Sequence, residues 1–190
     1  MKIIQIRGSN GAGKTTIVRE YIERNGFEPI SVKVGGSEIE CSKVGSTIII
    51  GRYDRNECGG CDACVKSGDE LKNTIAKIAR ELRPEAIVFE GFIYSVSFDF
   101  TYQIYKHAKR IGAEFVAICL EPPFETTLER IYSRNGGKEI NIEGRERNYL
   151  RGIISNDKLA KAKVDLLRVD TSKIERGKMW SLLEDIATSQ

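Results

Sequence analysis

Histidine is almost missing from this chain: 190 residues carry one, His107, which removes any mechanism that needs a pair of imidazoles. Proline is scarce as well, at four, and charged residues interrupt every apolar run. Those shortages exclude a collagenous repeat, a low-complexity tail and an 18-residue membrane span. No sign of charge dominates: 30 Lys and Arg against 27 Asp and Glu leave a net +3, so composition alone does not mark a nucleic-acid binder. The run Met1 to Arg7 is too short for a secretory signal and no small-residue cleavage site follows it, which predicts a cytoplasmic protein with no membrane partner. Five cysteines in such a chain suggest free thiols or a metal site rather than a disulfide framework. What is present, 41% hydrophobic residues, suffices for one core, and one domain over residues 1–190 is expected.

Periodicity orders the chain. Lys2 to Arg7 reads as a strand ending in a glycine-rich loop, and Ile17, Val18, Tyr21 and Ile22 then recur at helical spacing until Asn25-Gly26. Ile30 to Val34 and Ser46 to Ile50, punctuated by Gly35-Gly36 and Gly45, read as strands or a hairpin in a β-rich insert over about residues 29–66. Ser67 and Glu70 form a capping-box pattern ahead of Leu71, Ile75, Ile78 and Leu82. Ala86 to Phe89, Glu114 to Leu120 and Val164 to Val169 are short apolar strands. Helices follow around Thr101 to Ile111, from Pro123 to Asn135, around Leu150, Ile153 and Ile154, and around Trp180, Leu183 and Ile186. Alternation of this kind predicts an α/β fold of three layers, a parallel sheet with helices on both faces.

Gly8-Ser9-Asn10-Gly11-Ala12-Gly13-Lys14-Thr15 satisfies GxxxxGK[ST] between a strand and a helix. Glycines allow backbone N–H groups to turn inward as an anion nest, the helix N-terminus adds its positive dipole end, the lysine reaches the β- and γ-phosphates, and the threonine serves Mg²⁺. Candidate ATP contacts are therefore Gly8, Asn10, Gly11, Ala12, Gly13, Lys14, Thr15 and Thr16, with Thr15 the magnesium ligand. Neither DxxG nor NKxD is present, which disfavours a GTPase switch. Glu90 stands at the carboxyl end of a buried strand, where such sheets bind ligands, and is either a carboxylate that orients Mg²⁺ or accepts a hydroxyl proton, or a solvated strand terminus.

From Arg130 through Arg168 ten Lys or Arg face five Asp or Glu, so about +5 is concentrated there and the remainder of the chain is near −2. Arg130 and Arg134 share a helical face before Asn135-Gly136-Gly137, and Arg145, Arg147 and Arg151 lie beyond that hinge. This is the arrangement of a helical lid, about residues 134–151, that closes over a triphosphate, or of a solvated basic face. Cys58, Cys61 and Cys64 form CxxCxxC, and with Cys41 they are candidate Zn²⁺ ligands. The alternative reading of that segment centres on Gly59, Gly60 and Asp62, where a tight turn brings backbone and a carboxylate to a planar ligand, with Arg52, Tyr53 and Asp54 just before it.

Gly8 to Thr15, Gly51-Arg52-Tyr53-Asp54, Cys58-Gly59-Gly60-Cys61-Asp62, Phe89-Glu90-Gly91 and Leu128-Glu129-Arg130 through Arg134-Asn135 together resemble the phage P-loop kinases of thymine hypermodification, the 5-hydroxymethyluracil DNA kinases. The resemblance implies a P-loop kinase fold, ATP and Mg²⁺ as cofactors, and transfer of the γ-phosphate to the hydroxymethyl group of the modified base in DNA. It implies Lys14, Glu90, Arg134 and Arg130 as catalytic residues, and Arg52, Tyr53, Asp54, Gly59, Gly60 and Asp62 on the acceptor side. By similarity to small P-loop kinases, Asp170-Thr171-Ser172 falls near the adenine. Kinases of free deoxynucleotides resemble one another in an acid followed by Arg at the position of Glu90, where this chain has Gly91. A kinase of a free nucleotide, nucleoside or other small metabolite, or a non-catalytic ATP-binding switch, remains as the alternative.

Overall fold

A strand buried on both faces must send alternate side chains into two separate cores. In the computed structural model, which describes residues 1–53, 60–175 and 177–188, β1 (Lys2–Gly8) does this. Ile3 enters one apolar cluster, and Ile4 and Ile6 enter the other. The remaining elements in chain order are α1 (Lys14–Asn25), β2 (Glu28–Val34), β3 (Ser37–Val44), β4 (Thr47–Ile50), α2 (Cys61–Cys64), α3 (Gly68–Glu81), β5 (Ala86–Glu90), α4 (Phe92–Ser95), α5 (Phe98–Arg110), β6 (Glu114–Leu120), α6 (Phe124–Arg134), α7 (Ile142–Lys161), β7 (Asp165–Val169) and α8 (Ser181–Thr188). Ile17, Val18 and Tyr21 of α1 with Leu183 of α8 cover one face of the sheet. Leu71, Ile75 and Ile78 of α3, Ile104 of α5 and Leu159 of α7 cover the other. Each such side chain contributes about 1.5–3 kcal/mol on burial. Among the described residues no helix is long and apolar enough to cross a membrane.

The sheet has the order β2-β3-β4-β5-β1-β6-β7. The expected parallel sheet holds for β4, β5, β1, β6 and β7. It does not hold at one edge, where β2 and β3 pair antiparallel and β3 runs antiparallel to β4. The segment expected to be an insert therefore supplies three strands of the main sheet, and β4, buried at every position, is one of its interior parallel strands. β3 has no apolar run to announce it, because Glu38, Glu40 and Lys43 alternate with buried Ile39, Cys41 and Val44.

Ser67 caps α3 as its sequence predicts, its Oγ accepting from Glu70 N at 3.1 Å. The reciprocal bond is displaced by one residue, since the Glu70 carboxylate accepts from Lys66 N at 2.6 Å. α5 begins three residues earlier than its apolar spacing suggests, because Ser97 Oγ accepts from Phe100 N at 3.2 Å. In α7 the inward face is Gly152, Ser155, Asn156 and Leu159, while Leu150 and Ile154 face outward. The reason is Arg7, fully buried at the end of β1, whose guanidinium draws polar side chains inward.

Candidate active site

The loop from Gly8 to Gly13 joins β1 to α1 through three glycines with positive φ, at +152°, +81° and +105° for Gly8, Gly11 and Gly13. Space as well as conformation demands glycine here: a Cβ at Gly11 would lie 2.5 Å from the Thr127 carbonyl oxygen, and one at Gly8 2.9 Å from that of Leu120. No side chain caps the N-terminus of α1, in keeping with a helix start shaped for an anion. Lys14 lies back along the loop, donating to the carbonyls of Gly8 at 3.0 Å and Ser9 at 3.1 Å. Gly8 and Ala12 hold the loop from behind, Ala12 being wholly buried. Asn10, Gly11, Gly13, Lys14, Thr15 and Thr16 line a cavity of about 730 Å³.

Gly60, Asp62, Glu90 and Phe92 line the same cavity. Glu90 is 2% exposed, so it is a buried carboxylate and not a solvated strand end. Its Oε1 accepts from Thr15 Oγ1 at 3.0 Å and from Tyr53 OH at 3.4 Å. Burial raises its pKa, opposed by the Lys14 charge and by the two hydroxyls, while Asp62 pushes it further up. A carboxyl so placed is a stronger base than an ordinary glutamate, which suits proton acceptance from a hydroxyl. Gly60 leaves it room: a Cβ there would lie 2.6 Å from Glu90 Oε1.

Asp62 accepts from the backbone amides of Phe92 at 2.5 Å and Ile93 at 3.4 Å, tying α2 to the first turn of α4. Its pKa is raised by burial and lowered by those two amides. Tyr53 is buried in the core on the α1 side with only its hydroxyl turned to Glu90, and so orients the carboxylate. Arg52 pairs with Glu40 at 3.0 Å and is not among the cavity-lining residues. Asp54, Cys58 and Gly59 lie outside the described residues.

The two arginines of α6 differ. Arg130 donates to Gly11 O at 3.2 Å, Thr171 Oγ1 at 2.9 Å and Thr171 O at 3.0 Å. Thr171 in turn donates to Ala12 O at 2.9 Å, so this pair braces the loop against the chain after β7. Asp170 and Ser172 bond to each other. Arg134 is exposed, lines the cavity, and makes no hydrogen bond or ion pair among the described residues. Beyond Gly136 and Gly137, both at positive φ, α7 carries Arg145, Arg147 and Arg151, and Arg145 lines a smaller recess with Phe92 and Phe124.

The zinc expectation is not supported. Among the described residues no group of three or more His, Cys, Asp or Glu could hold a metal ion. Cys41 and Cys61 are buried free thiols, and burial pushes the Cys41 and Cys64 thiols up to about 12, which opposes the thiolate that zinc needs. Cys64 instead donates to Cys61 O at 3.6 Å. Cys119 is core, as a strand position predicts.

One residue that sequence reasoning passed over is Arg7. All five of its N–H groups are used: Nε to Asn156 Oδ1 at 2.8 Å, one terminal nitrogen to Tyr94 O at 3.1 Å and to Thr101 Oγ1, the other to Ser95 O at 2.7 Å and Ser155 Oγ at 2.8 Å. It thereby fixes α4, and with it the wall of the cavity, to β1 and α7. Its only signal in the sequence is a charge at the end of an otherwise apolar strand, next to the phosphate loop.

A family model described as 5-hmdU DNA kinase matches residues 1–164. The chain is 29% identical over 140 residues to the 5-hmdU DNA kinase of Delftia phage PhiW-14, a match covering 70% of this chain and 52% of that protein. It is 30% identical over 145 residues to the 5-hmdU DNA kinase of Pseudomonas phage M6, covering 74% and 75%. It thus spans about half the length of the first relative and three quarters of the second. Among solved structures, deoxyadenosine kinase from M. mycoides with bound dCTP superposes over 100% of both chains with a TM-score of 0.50 at 18% identity, a likeness of fold.

Proposed function

Because the chain belongs to the 5-hmdU DNA kinase family, we propose that it transfers the γ-phosphoryl group of ATP to the hydroxymethyl oxygen of 5-hydroxymethyluracil in DNA, in the cytoplasm of a phage host. The observation that carries this reading is the buried Glu90 carboxylate, 3.0 Å from Thr15 of the phosphate loop and lining, with Gly60, Asp62 and Phe92, the same cavity as that loop. A phosphate site and an acceptor site share one general base there.

In this scheme the loop amides and Lys14 hold the β- and γ-phosphates, Lys14 exchanging its two carbonyl partners for phosphate oxygens. The acceptor hydroxyl oxygen forms the new bond to phosphorus, the bond from phosphorus to the ADP oxygen breaks, and the hydroxyl proton passes to Glu90. Arg134 supplies positive charge to the transferring group, and Arg130 keeps the loop in shape. The Thr15 hydroxyl and Glu90 carboxylate are hard oxygen donors on one wall and fit magnesium, with Thr15 as the direct ligand. When bound, that ion neutralises charge on the phosphate oxygens.

The test is transfer of label from γ-labelled ATP, offered to DNA containing 5-hydroxymethyluracil, to unmodified DNA and to free deoxynucleotides, with Lys14→Ala as the inactive control. Label in the modified DNA alone is expected. Label in free nucleotides alone refutes the DNA acceptor, and full activity of Lys14→Ala refutes the site.

A further inference from the structure

Glu90 lies 2% exposed at the end of β5, so an acceptor hydroxyl reaches it only by entering the cavity. A base stacked within a duplex cannot do so and must leave the stack. The chain immediately after Glu90 passes from buried to exposed within three residues. Phe92 lines the cavity wall, and the next side chain, Ile93, is 65% exposed, the most exposed large apolar side chain among the described residues.

A single exposed apolar residue is ordinary on a mobile loop. This one sits on a turn fastened from both sides. The Asp62 carboxylate holds the Phe92 and Ile93 amides, Tyr94 and Ser95 are buried, and the carbonyls of both accept from the Arg7 guanidinium. Isoleucine is itself stiff at χ1. Two cations share pockets with the preceding residue: Arg134 lines the cavity with Phe92, and Arg145 lines the smaller recess with Phe92. An anchored, exposed apolar side chain next to a residue that lines the cavity, with arginines lining that cavity and the adjoining recess, matches the way proteins unstack duplex DNA, by inserting an apolar wedge between base steps while cations hold phosphates.

We propose that Ile93 is a wedge that enters the duplex at the target base, filling the gap left in the stack while 5-hydroxymethyluracil turns out into the Glu90 cavity. This rests on the DNA-acceptor reading given above. Ile93 is a positioning residue: it forms no bond to the reacting atoms, and its effect is confined to substrates in which the base is stacked and paired.

The experiment compares the full-length protein with Ile93→Ala and Ile93→Leu on one oligonucleotide carrying a single 5-hydroxymethyluracil. It is offered single-stranded, in a matched duplex, and in a duplex with an abasic site opposite the target. Ile93→Ala is expected to lose on the order of tenfold or more in kcat/KM on the matched duplex, to stay within about twofold of wild type on the single strand, and to recover part of the loss opposite the abasic site, where extrusion is easier. Ile93→Leu should retain activity on all three. Equal losses on single strand and duplex, or no loss on the duplex, overturn the wedge. A wild-type protein active on the single strand alone overturns the wedge and leaves the DNA-kinase reading standing. A wild-type protein active on none of the three overturns both.

Discussion

Replacing Arg7 by methionine removes a buried cation whose partners are all neutral. A hydrogen bond to a charged group contributes about 1.5–3 kcal/mol, so five of them, even at the low end, stabilise by about 7 kcal/mol. Against this stands burial, which pulls the guanidinium down from 12.5 to about 10, a cost to the charged form of about 3 kcal/mol. The Glu121 carboxylate is one step removed, accepting from Asn156 Nδ2 at 2.8 Å, and offsets little of that cost directly. The balance is about 4 kcal/mol lost in Arg7→Met, a large share of the 5–15 kcal/mol typical of a folded domain. Arg7→Lys should be worse still, because the ammonium keeps the burial cost and has three donors for the acceptors that the planar fork reaches. Urea unfolding monitored by circular dichroism measures this: the midpoint should fall by about 1.5–2 M with the slope unchanged in Arg7→Met, and further in Arg7→Lys. A midpoint within about 0.3 M of wild type for Arg7→Met, or a lysine variant more stable than the methionine one, refutes the reasoning.

Glu90→Gln should lower turnover on the order of 10²-fold or more with ATP affinity little changed. Because burial raises the Glu90 pKa, the folded state holds that proton more firmly than the unfolded one, so stability from it is present at acid pH and lost as pH rises from 4.5 through the raised value. Glu90→Gln should accordingly raise the melting temperature at pH 7 more than at pH 4, and the acidic limb of the wild-type rate profile, above the ordinary glutamate range, should vanish in the variant. Gly60→Ala places a Cβ 2.6 Å from Glu90 Oε1 and should cut kcat on the order of 10²-fold while leaving ATP affinity alone, read by steady-state kinetics and calorimetry. Arg134→Ala should cost activity on the order of 10²-fold with stability within about 0.5 kcal/mol, whereas Arg130→Ala should cost about 2–3 kcal/mol of stability and weaken ATP binding. Paired melting and kinetic measurements separate the two.

What the sequence by itself determined is what depends on near neighbours along the chain. The phosphate loop is legible because glycines, lysine and threonine act within eight residues of one another, and the conformations they need are intrinsic to those residue types. The Ser67 cap and the parallel strands are legible for the same reason, since a cap and an apolar period are local. The role of Glu90 was half legible: its place at a strand end is written in the run before it, but its burial and its contact with Thr15, 75 residues away, are not.

Tertiary structure alone decided the rest. It made β4 an interior strand and β2–β3 an antiparallel extension, because pairing partners are chosen across the sheet and β3 carries no apolar run to reveal it. Separating Arg130, bound to the loop and to Thr171, from Arg134, facing the cavity, likewise needed contacts 41 and 119 residues apart. Arg7 is the clearest case. A charge at a strand end reads as solvent-facing until helices from 87 to 149 residues away deliver neutral acceptors around it, and those same acceptors explain why α7 turns Ser155 and Asn156 inward and leaves Leu150 and Ile154 outside. Local preference fixes which element forms, but a buried charge is tolerated only where the whole fold satisfies it.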